Sequence, residues 1–159
     1  MKKRVKMICF DMDGTIADLY GVDNWLTDLE NHNAKPYEVA KPLHDMTALT
    51  ALLEQATAKG IEIRVITWLA KGADRKYKKE TRVAKREWLK AQGFATTKTH
   101  CIQYGTTKAN CIRNELKTNQ TAILIDDNAK VRRGWTLGGT IDPTAENFLE
   151  KLAKIIEQN

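Results

Sequence analysis

Two carboxylates stand two residues apart at the end of an apolar run near the N-terminus. Asp11 and Asp13 follow residues 4–10, whose pattern predicts a buried strand. In an extended chain, residues i and i+2 point the same way, so both carboxylates can face one ligand. Gly14 then allows a sharp turn away from the sheet. Two like charges this close favour a bound cation such as Mg2+, which prefers oxygen ligands, or a proton on one of them.

Two further predicted strands also end in polar residues. The run Ile61–Thr67 is short, rich in β-branched residues and ends in a hydroxyl group. Thr121–Ile125 is a similar run, and Asp126 and Asp127 follow it directly. In parallel sheets the ligand lies outside the carboxyl ends of the strands, so the three polar strand ends should converge on one crevice.

Helical patterns alternate with these strands. Helices are predicted at Met46–Lys59, Tyr77–Gln92, Thr107–Lys117 and Pro143–Gln158, and a short strand at Thr99–Gln103. Alternating strands and helices are typical of a parallel sheet covered on both faces. The chain of 159 residues is therefore predicted to form one α/β domain over residues 1–159, a three-layer Rossmann-like parallel sheet with helices on both faces.

The positive charge of the chain is unevenly distributed. The net charge is +6, and basic residues crowd the segment 71–90, where they are Lys71, Arg75, Lys76, Lys78, Lys79, Arg82, Lys85, Arg86 and Lys90. Such a cluster favours anionic partners, with phosphates and nucleic acid as the obvious candidates. A solvated helix face would have the same composition, so both interpretations stay open.

The sequence shows no signal for membrane insertion or export. No run of eighteen apolar residues occurs, so no membrane span is predicted. The first apolar run is too short and too charged for a signal peptide, which makes the cytoplasm the expected location. Cys9, Cys101 and Cys111 are widely spaced without a zinc pattern, so they are expected to be reduced thiols.

The complete string around the first carboxylates carries a family resemblance. Residues 8–15 read ICFDMDGT, which resembles the nucleophile motif of the haloacid dehalogenase (HAD) superfamily of phosphatases. The resemblance implies that Asp11 attacks phosphorus and becomes an aspartyl phosphate. It implies that Asp13 is the general acid and base, and that the backbone carbonyl of Asp13 also binds a magnesium ion.

Two more motifs of the superfamily match at the other strand ends. The strand that ends at Thr67 is similar to the second motif, which implies that this hydroxyl hydrogen-bonds the phosphoryl oxygens. The segment ILIDDN at residues 123–128 is similar to the acidic fourth motif. The resemblance implies that Asp126, Asp127 or both complete a magnesium site with Asp11 and Asp13, without deciding which of the pair contacts the ion.

The third motif of the superfamily is a lysine that stabilises charge on the nucleophile and the phosphate. Lys108 is the first candidate, because it stands at the start of a predicted helix shortly before the acidic pair. A lysine of the basic segment, such as Lys78 or Lys85, is the alternative, since a single lysine carries little signal.

The segment 18–45 is a possible small cap insertion. Together with the basic segment it resembles the 5′-deoxyribonucleotidase-like branch of the superfamily, but with a reduced cap, so the site should be fairly open. Trp68 follows Thr67 directly and is expected to bind substrate beside Thr67 and Lys108, by stacking on a base or by shaping the pocket.

These observations predict a magnesium-dependent phosphomonoester hydrolase. It would act through an aspartyl phosphate on a nucleotide or another small phosphorylated metabolite. One alternative is a polynucleotide 3′-end phosphatase, in which an open site beside a basic helix accepts a nucleic-acid end. The other is a non-catalytic module that binds phosphate or nucleic acid, against which the intact Asp11 and Asp13 weigh.

Overall fold

A central parallel sheet organises the molecule. The computed structural model describes residues 2–96 and 98–159. The strands in chain order are β1 (Arg4–Phe10), β2 (Ala17–Asp18), β3 (Lys41–Pro42), β4 (Glu62–Trp68), β5 (Lys98–Ile102), β6 (Gln120–Ile125) and β7 (Thr140–Ile141). Five of them form a parallel sheet in the order β5-β4-β1-β6-β7. The strands β2 and β3 pair with each other as a separate antiparallel ribbon.

Residues 2–96 and 98–159 include six α-helices, which pack on the sheet or over one end of it. They are α1 (Trp25–Glu30), α2 (Lys35–Val39), α3 (Met46–Ala58), α4 (Arg75–Ala91), α5 (Ala129–Arg133) and α6 (Phe148–Glu157). The predicted α/β fold, a Rossmann-like parallel sheet with helices around it, is confirmed. No helix among residues 2–96 and 98–159 is both long enough and apolar enough to cross a bilayer.

The crevice lies where the chain reverses its direction across the sheet. From β1 the chain moves outward through β4 to β5, and it then crosses back to place β6 on the other side of β1. The backbone N–H of Asp11 donates to the carbonyl of Ile125 at 2.8 Å, which holds the ends of β1 and β6 together. Ligand sites of open α/β sheets occur at such a reversal, at the carboxyl ends of the strands.

The two faces of the sheet are covered by different kinds of structure. Ile8 and Phe10 of β1 point into a core built with α3, α4 and α6. Met7 and Cys9 point to the opposite face, because successive side chains of a strand alternate. That face is covered by α5 and by two 3-10 turns, Lys108–Cys111 and Arg113–Glu115.

The helix predicted at 107–117 is therefore wrong. Ile112 separates the two 3-10 turns because it leaves the helical conformation, with φ −129° and ψ −6°. Its side chain is fully buried against the sheet. Burial of this β-branched side chain outweighs the continuous helix that the polar neighbours alone would favour.

The segment 18–45 folds over the mouth of the crevice. It consists of a 3-10 turn at Leu19–Gly21, the short helices α1 and α2, and the strand β3 that returns to β2. Tyr37 of α2 is buried in a small cluster with Tyr77 of α4. Because α2 packs along α4, the segment is attached to the basic helix rather than standing free.

Candidate active site

A cavity of 510 Å³ opens at the carboxyl ends of β1, β4 and β6. Its volume falls within the range of about 300–1,000 Å³ that is usual for small-molecule sites. Acidic and aromatic side chains dominate its wall, together with one buried lysine: Asp11, Asp13, Asp126, Asp127, Tyr20, Trp25, Tyr37, Trp68, Tyr104 and Lys108. The carboxylates that follow β1 and β6 meet at this cavity, and from the end of β4 it is Trp68, not Thr67, that lines the wall.

Gly14 makes the turn that brings the acidic residues of two strands together. Its φ of +79° lies in the left-handed region that glycine tolerates best. A Cβ at this position would stand 2.5 Å from an oxygen of Asp127 and 2.8 Å from the ring of Tyr20. The turn after Asp13 therefore requires glycine both for its conformation and for the close approach of Asp127.

Three carboxylates form the acidic centre of the cavity. Asp11, Asp126 and Asp127 each offer one oxygen within 4.8 Å of the others. Burial and the neighbouring carboxylates raise the pKa of Asp127 to about 7, and they also raise the pKa of Asp126. A hard cation would relieve this repulsion, and an all-oxygen donor set suits Mg2+. The residues present thus fit the metal that the sequence predicts.

Thr15, which is not among the site residues predicted from the sequence, connects two members of this acidic centre. Its hydroxyl oxygen lies 3.0 Å from a carboxylate oxygen of Asp11 and accepts the backbone N–H of Asp127 at 3.1 Å. Thr15 is fully buried. The feature of the sequence that indicates a site role for Thr15 is its position at the end of the string ICFDMDGT.

Lys108 neutralises part of the acidic centre. Its Nζ donates to Asp11 at 2.8 Å and to Asp126 at 2.7 Å. Burial acts to lower the pKa of Lys108, but the two carboxylates outweigh it and raise that pKa. The lysine therefore stays charged, at the place where charge on a nucleophile and on a bound phosphate would need support.

Lys85 binds a different set of residues at the same end of the sheet. Its Nζ donates to Asp13 at 2.6 Å, to the hydroxyl of Thr67 at 2.7 Å and to the carbonyl of Trp68 at 3.1 Å. Lys85 and Lys108 were alternatives for one role in the sequence, yet both are buried at the site. The feature of the sequence that indicates burial of Lys85 is its place on the same face of α4 as Thr81 and Trp88.

The carboxylate of Asp13 differs from the other three. It lines the cavity but is not part of the acidic centre, because its Oδ2 is held by Lys85. Its Oδ1 is buried and has no hydrogen-bond partner among the residues that the structure describes. Burial raises the pKa of Asp13, and the Lys85 ammonium opposes that rise.

The other predicted substrate-binding residues occupy two different positions. Thr67 is fully buried and is not part of the cavity wall, so its direct contact with a phosphoryl group stays a prediction. Trp68 does line the cavity, with its Nε1 donating to the carbonyl of Thr106 at 2.9 Å. Its ring packs against Tyr104 at 5.1 Å between ring centres, and the Lys108 ammonium lies 5.3 Å from it.

Comparison with known proteins gives similarity in structure only. No family model and no curated protein sequence matches the chain. A protein from Mesorhizobium loti assigned as a HAD-like phosphatase has a TM-score of 0.62 at 12% identity, over 99% of this chain and 88% of that one. At this level of identity the likeness establishes a shared fold.

A chain from the structure of the Pnkp1/Rnl/Hen1 RNA repair complex is also similar. The TM-score is 0.59 and the identity 16%, over 88% of this chain. The match covers 42% of the longer chain, so the protein corresponds to less than half of that relative. This likeness, too, establishes a shared fold.

Proposed function

We propose that the protein is a magnesium-dependent phosphomonoester hydrolase of the HAD type that works through an aspartyl phosphate on Asp11. One observation carries the proposal: the Asp11 carboxylate lies at a cavity between a buried lysine and two further carboxylates. The fold shared with a HAD-like phosphatase supports it.

The acidic centre would hold the metal. Asp11, Asp126 and Asp127 supply carboxylate oxygens, and the backbone carbonyl of Asp13 is the further ligand that the resemblance implies. When bound, Mg2+ supplies positive charge that offsets repulsion between these carboxylates and an anionic phosphate. Thr15 would keep Asp11 and Asp127 in place through its hydroxyl group.

The proposed reaction has two displacements at phosphorus. A carboxylate oxygen of Asp11 attacks phosphorus, the bond to the ester oxygen breaks, and Asp13 gives that oxygen its proton. A water molecule then attacks the aspartyl phosphate, Asp13 takes the proton of the water, and inorganic phosphate leaves from Asp11. Lys108 stabilises the negative charge near Asp11 during both displacements.

The nucleophile is tested by Asp11→Asn. We expect hydrolysis of 4-nitrophenyl phosphate to fall by more than about a thousandfold, because an amide does not form the aspartyl phosphate. Asp23→Asn is the matched control, since Asp23 is exposed and does not line the cavity. Full activity of Asp11→Asn, with its circular dichroism spectrum unchanged, would refute the assignment.

The metal and the substrate are tested by one screen. Deoxynucleoside monophosphates, sugar phosphates and 3′-phosphorylated oligonucleotides are each assayed with Mg2+, with EDTA, and with EDTA followed by excess Mg2+. We expect activity to be lost in EDTA and restored by the metal. Activity that ignores EDTA would contradict the metal assignment. Phosphate binding without turnover of any substrate would indicate the non-catalytic module.

A nucleotide or another small phosphorylated metabolite fits the cavity. Its volume is adequate for a drug-sized ligand, and aromatic side chains form the walls beside the acidic centre. Trp68 and Tyr104 present a preorganised pair on one side. Tyr20 and Trp25 form a second pair on the cap side, with ring centres 4.9 Å apart. Flat rings of this kind can stack on a base.

A polynucleotide 3′-end phosphatase is the second candidate, favoured by the charge on α4. Residues four apart lie close to one side of a helix, and four basic residues of α4 follow this spacing. We call Lys78, Arg82, Arg86 and Lys90 the basic stripe. Lys78 lines a recess together with Tyr104, and Tyr104 also lines the active-site cavity, so the stripe begins at the mouth of the site.

The basic stripe is not neutralised by the protein itself. Within residues 2–96 and 98–159, no carboxylate lies within ion-pair distance of any of its four members. Arg82 and Arg86 are close enough to Cys101 of the edge strand β5 to lower its pKa, although burial raises that pKa overall. Unpaired positive charge along a helix and a sheet edge would suit a nucleic-acid strand.

The second candidate is tested by removing charge from the basic stripe. Arg82→Ala/Arg86→Ala should raise the KM for a 3′-phosphorylated oligonucleotide, leave the KM for a 3′-mononucleotide unchanged, and weaken the salt dependence of KM. The control is Lys151→Ala/Lys154→Ala, which removes two charges from α6 beside the other sheet edge. One structure with this fold belongs to an RNA repair complex, so both RNA and DNA ends are assayed. Equal effects of the two variants would contradict this candidate.

A further inference from the structure

We infer that Lys85 is the positioning residue of the general acid and base: its hydrogen bond to one oxygen of Asp13 fixes the orientation of that carboxylate. The inference rests on the proposed function, because it assumes that Asp13 transfers the proton. Lys85 is fully buried, and neither displacement at phosphorus uses it directly.

Every hydrogen of the Lys85 ammonium is used inside the protein. An ammonium has three donors, and Nζ has three acceptors: Asp13, the Thr67 hydroxyl and the Trp68 carbonyl, at 2.6, 2.7 and 3.1 Å. The ring of Tyr37 closes the remaining side, with its centre 4.7 Å from Nζ. The ammonium is therefore fixed in position and direction.

The helix that carries Lys85 is itself firmly placed. The neighbouring residues Tyr77, Thr81, Ala84 and Trp88 are all buried on the same face of α4. The indole of Trp88 donates to the carbonyl of Ala40 at 2.7 Å, which joins α4 to the end of the segment 18–45. The position of the 17-residue helix α4 therefore fixes where the Lys85 ammonium meets the Asp13 carboxylate.

The consequence falls on the orientation of Asp13. Since Oδ2 is held by Lys85, rotation of the carboxylate is restricted, and Oδ1 stays buried without a hydrogen-bond partner among the residues that the structure describes. A buried oxygen without a partner is costly, and its usual explanation is a functional role. The ammonium of Lys85 thus holds Asp13 in an orientation that leaves this oxygen without a partner.

Lys85 does not itself contact a substrate. It is fully buried behind Asp13 and is not part of the cavity wall, whereas Lys108 is. A direct phosphate ligand would have to displace one of the three acceptors that occupy its ammonium. The effect of Lys85 on the reaction must therefore pass through Asp13, or through the end of β4 at Thr67 and Trp68.

This indirect role gives Lys85 a distinct kinetic signature. A good leaving group departs without help from an acid, whereas a poor one needs the proton of Asp13. A wrongly oriented Asp13 therefore slows phosphorylation of Asp11 by phenyl phosphate more than by 4-nitrophenyl phosphate. Water attack on the aspartyl phosphate needs Asp13 as base with either substrate, so that step slows with both.

The test is Lys85→Met, which keeps the length of the side chain without the ammonium. We expect kcat with phenyl phosphate to fall about a hundredfold, within the range of general acid catalysis. With 4-nitrophenyl phosphate, the first turnover should slow less than about tenfold and appear as a burst before a slow steady state. Lys79→Met is the control, because Lys79 is exposed on the same helix. Equal losses for both substrates, without a burst, would overturn the inference.

A double-mutant cycle separates action through Asp13 from action through β4. In an Asp13→Asn background, Lys85→Met should change kcat by less than about twofold, which is the usual scatter of independent changes. If it costs as much in that background as in the wild type, Lys85 acts elsewhere and the inference is wrong. Lys85→Arg, which keeps the charge, should recover part of the phenyl phosphate activity.

Folding is measured on every variant by circular dichroism and thermal unfolding. If Lys85→Met does not fold, Lys85→Arg takes its place. A planar guanidinium does not satisfy three acceptors around one point. Lys85→Arg should therefore show the same preference for the better leaving group as Lys85→Met, but a smaller one. Failure of the proposed function appears separately, as an active Asp11→Asn or as a wild type that hydrolyses neither aryl phosphate.

Discussion

Two buried lysines pair with carboxylates of the same cavity, and they stand on elements of different kinds. Lys85 stands inside the 17-residue helix α4, whereas Lys108 begins a four-residue 3-10 turn. Lys108 pairs with two carboxylates, Asp11 and Asp126, and both belong to the acidic centre. Lys85 pairs with one carboxylate, and its other two acceptors are uncharged.

The difference separates charge stabilisation from orientation. On the Lys108 side the carboxylates outnumber the cation, so this side has unbalanced negative charge for a metal to offset. On the Lys85 side one ammonium faces one carboxylate, and all three N–H donors of the ammonium are occupied. What Lys85 can contribute there is the orientation of its partner. This contrast is the basis on which we propose that Lys108 acts on charge at the phosphate and the metal, and Lys85 on the orientation of Asp13.

Among the changes that test this comparison, the largest expected effect comes from removing Lys108. Lys108→Met should lower kcat/KM by about 10²–10³-fold, comparable to the loss of one oxyanion donor. The reduction should be equal for phenyl and 4-nitrophenyl phosphate, because Lys108 acts on charge at phosphorus rather than on the leaving group. A leaving-group preference like that expected of Lys85→Met would remove the distinction between the two lysines.

A smaller effect should follow from loosening the acidic centre. Thr15→Val removes the hydroxyl that contacts Asp11 and Asp127 while keeping the shape of the side chain. We expect the Mg2+ concentration for half-maximal activity to rise about 10- to 100-fold, as for other groups that orient metal ligands. The ratio of rates with the two aryl phosphates should not change. Thr57→Val on α3 is the control, and an unchanged Mg2+ requirement in Thr15→Val would contradict the role of Thr15.

The smallest expected effect is a pH dependence of stability behind the acidic centre. The Nε2 of His44 lies 2.7 Å from the carbonyl of Thr15, and burial lowers the pKa of His44. A lowered folded pKa means that the unfolded state binds the proton more readily. The stability from His44 is thus present above the unfolded pKa of about 6.5 and is lost as the pH falls below it.

His44→Gln tests this dependence. The free energy of unfolding, measured by urea denaturation at pH 7.5 and pH 5.5, should decrease less with acid in the variant than in the wild type. Other titrating groups cancel in the difference between the two proteins. If both lose the same stability between these pH values, His44 does not contribute to the pH dependence.

Much of this architecture was predictable because it depends on local patterns. The apolar runs identified the strands β1, β4 and β6 to within about one residue, since buried parallel strands read as continuous apolar runs. The helix α4 begins at Arg75, two residues before the predicted start at Tyr77, because Asp74 caps it by accepting the N–H of Tyr77.

The errors have a physical cause in common. The predicted helix at 107–117 lost to the burial of Ile112, which is a tertiary interaction. Lys85 and Lys108 looked like alternatives because the sequence does not reveal that two ammonium groups can be buried in one site if each has its own carboxylate. Thr15 was missed because its partner Asp127 is 112 residues away.

By itself, the sequence determined which atoms are available for chemistry and at which strand ends they stand. Spacing along the chain sets the direction of Asp11 and Asp13, and apolar runs set where each strand stops, because both depend on neighbouring residues. Only the tertiary structure decided how the charges pair. The attraction between an ammonium and a carboxylate depends on their distance and on the exclusion of water, and both are properties of the packed molecule. Thus α4 brings Lys85 into contact with Asp13, and a 3-10 turn brings Lys108 into contact with Asp11.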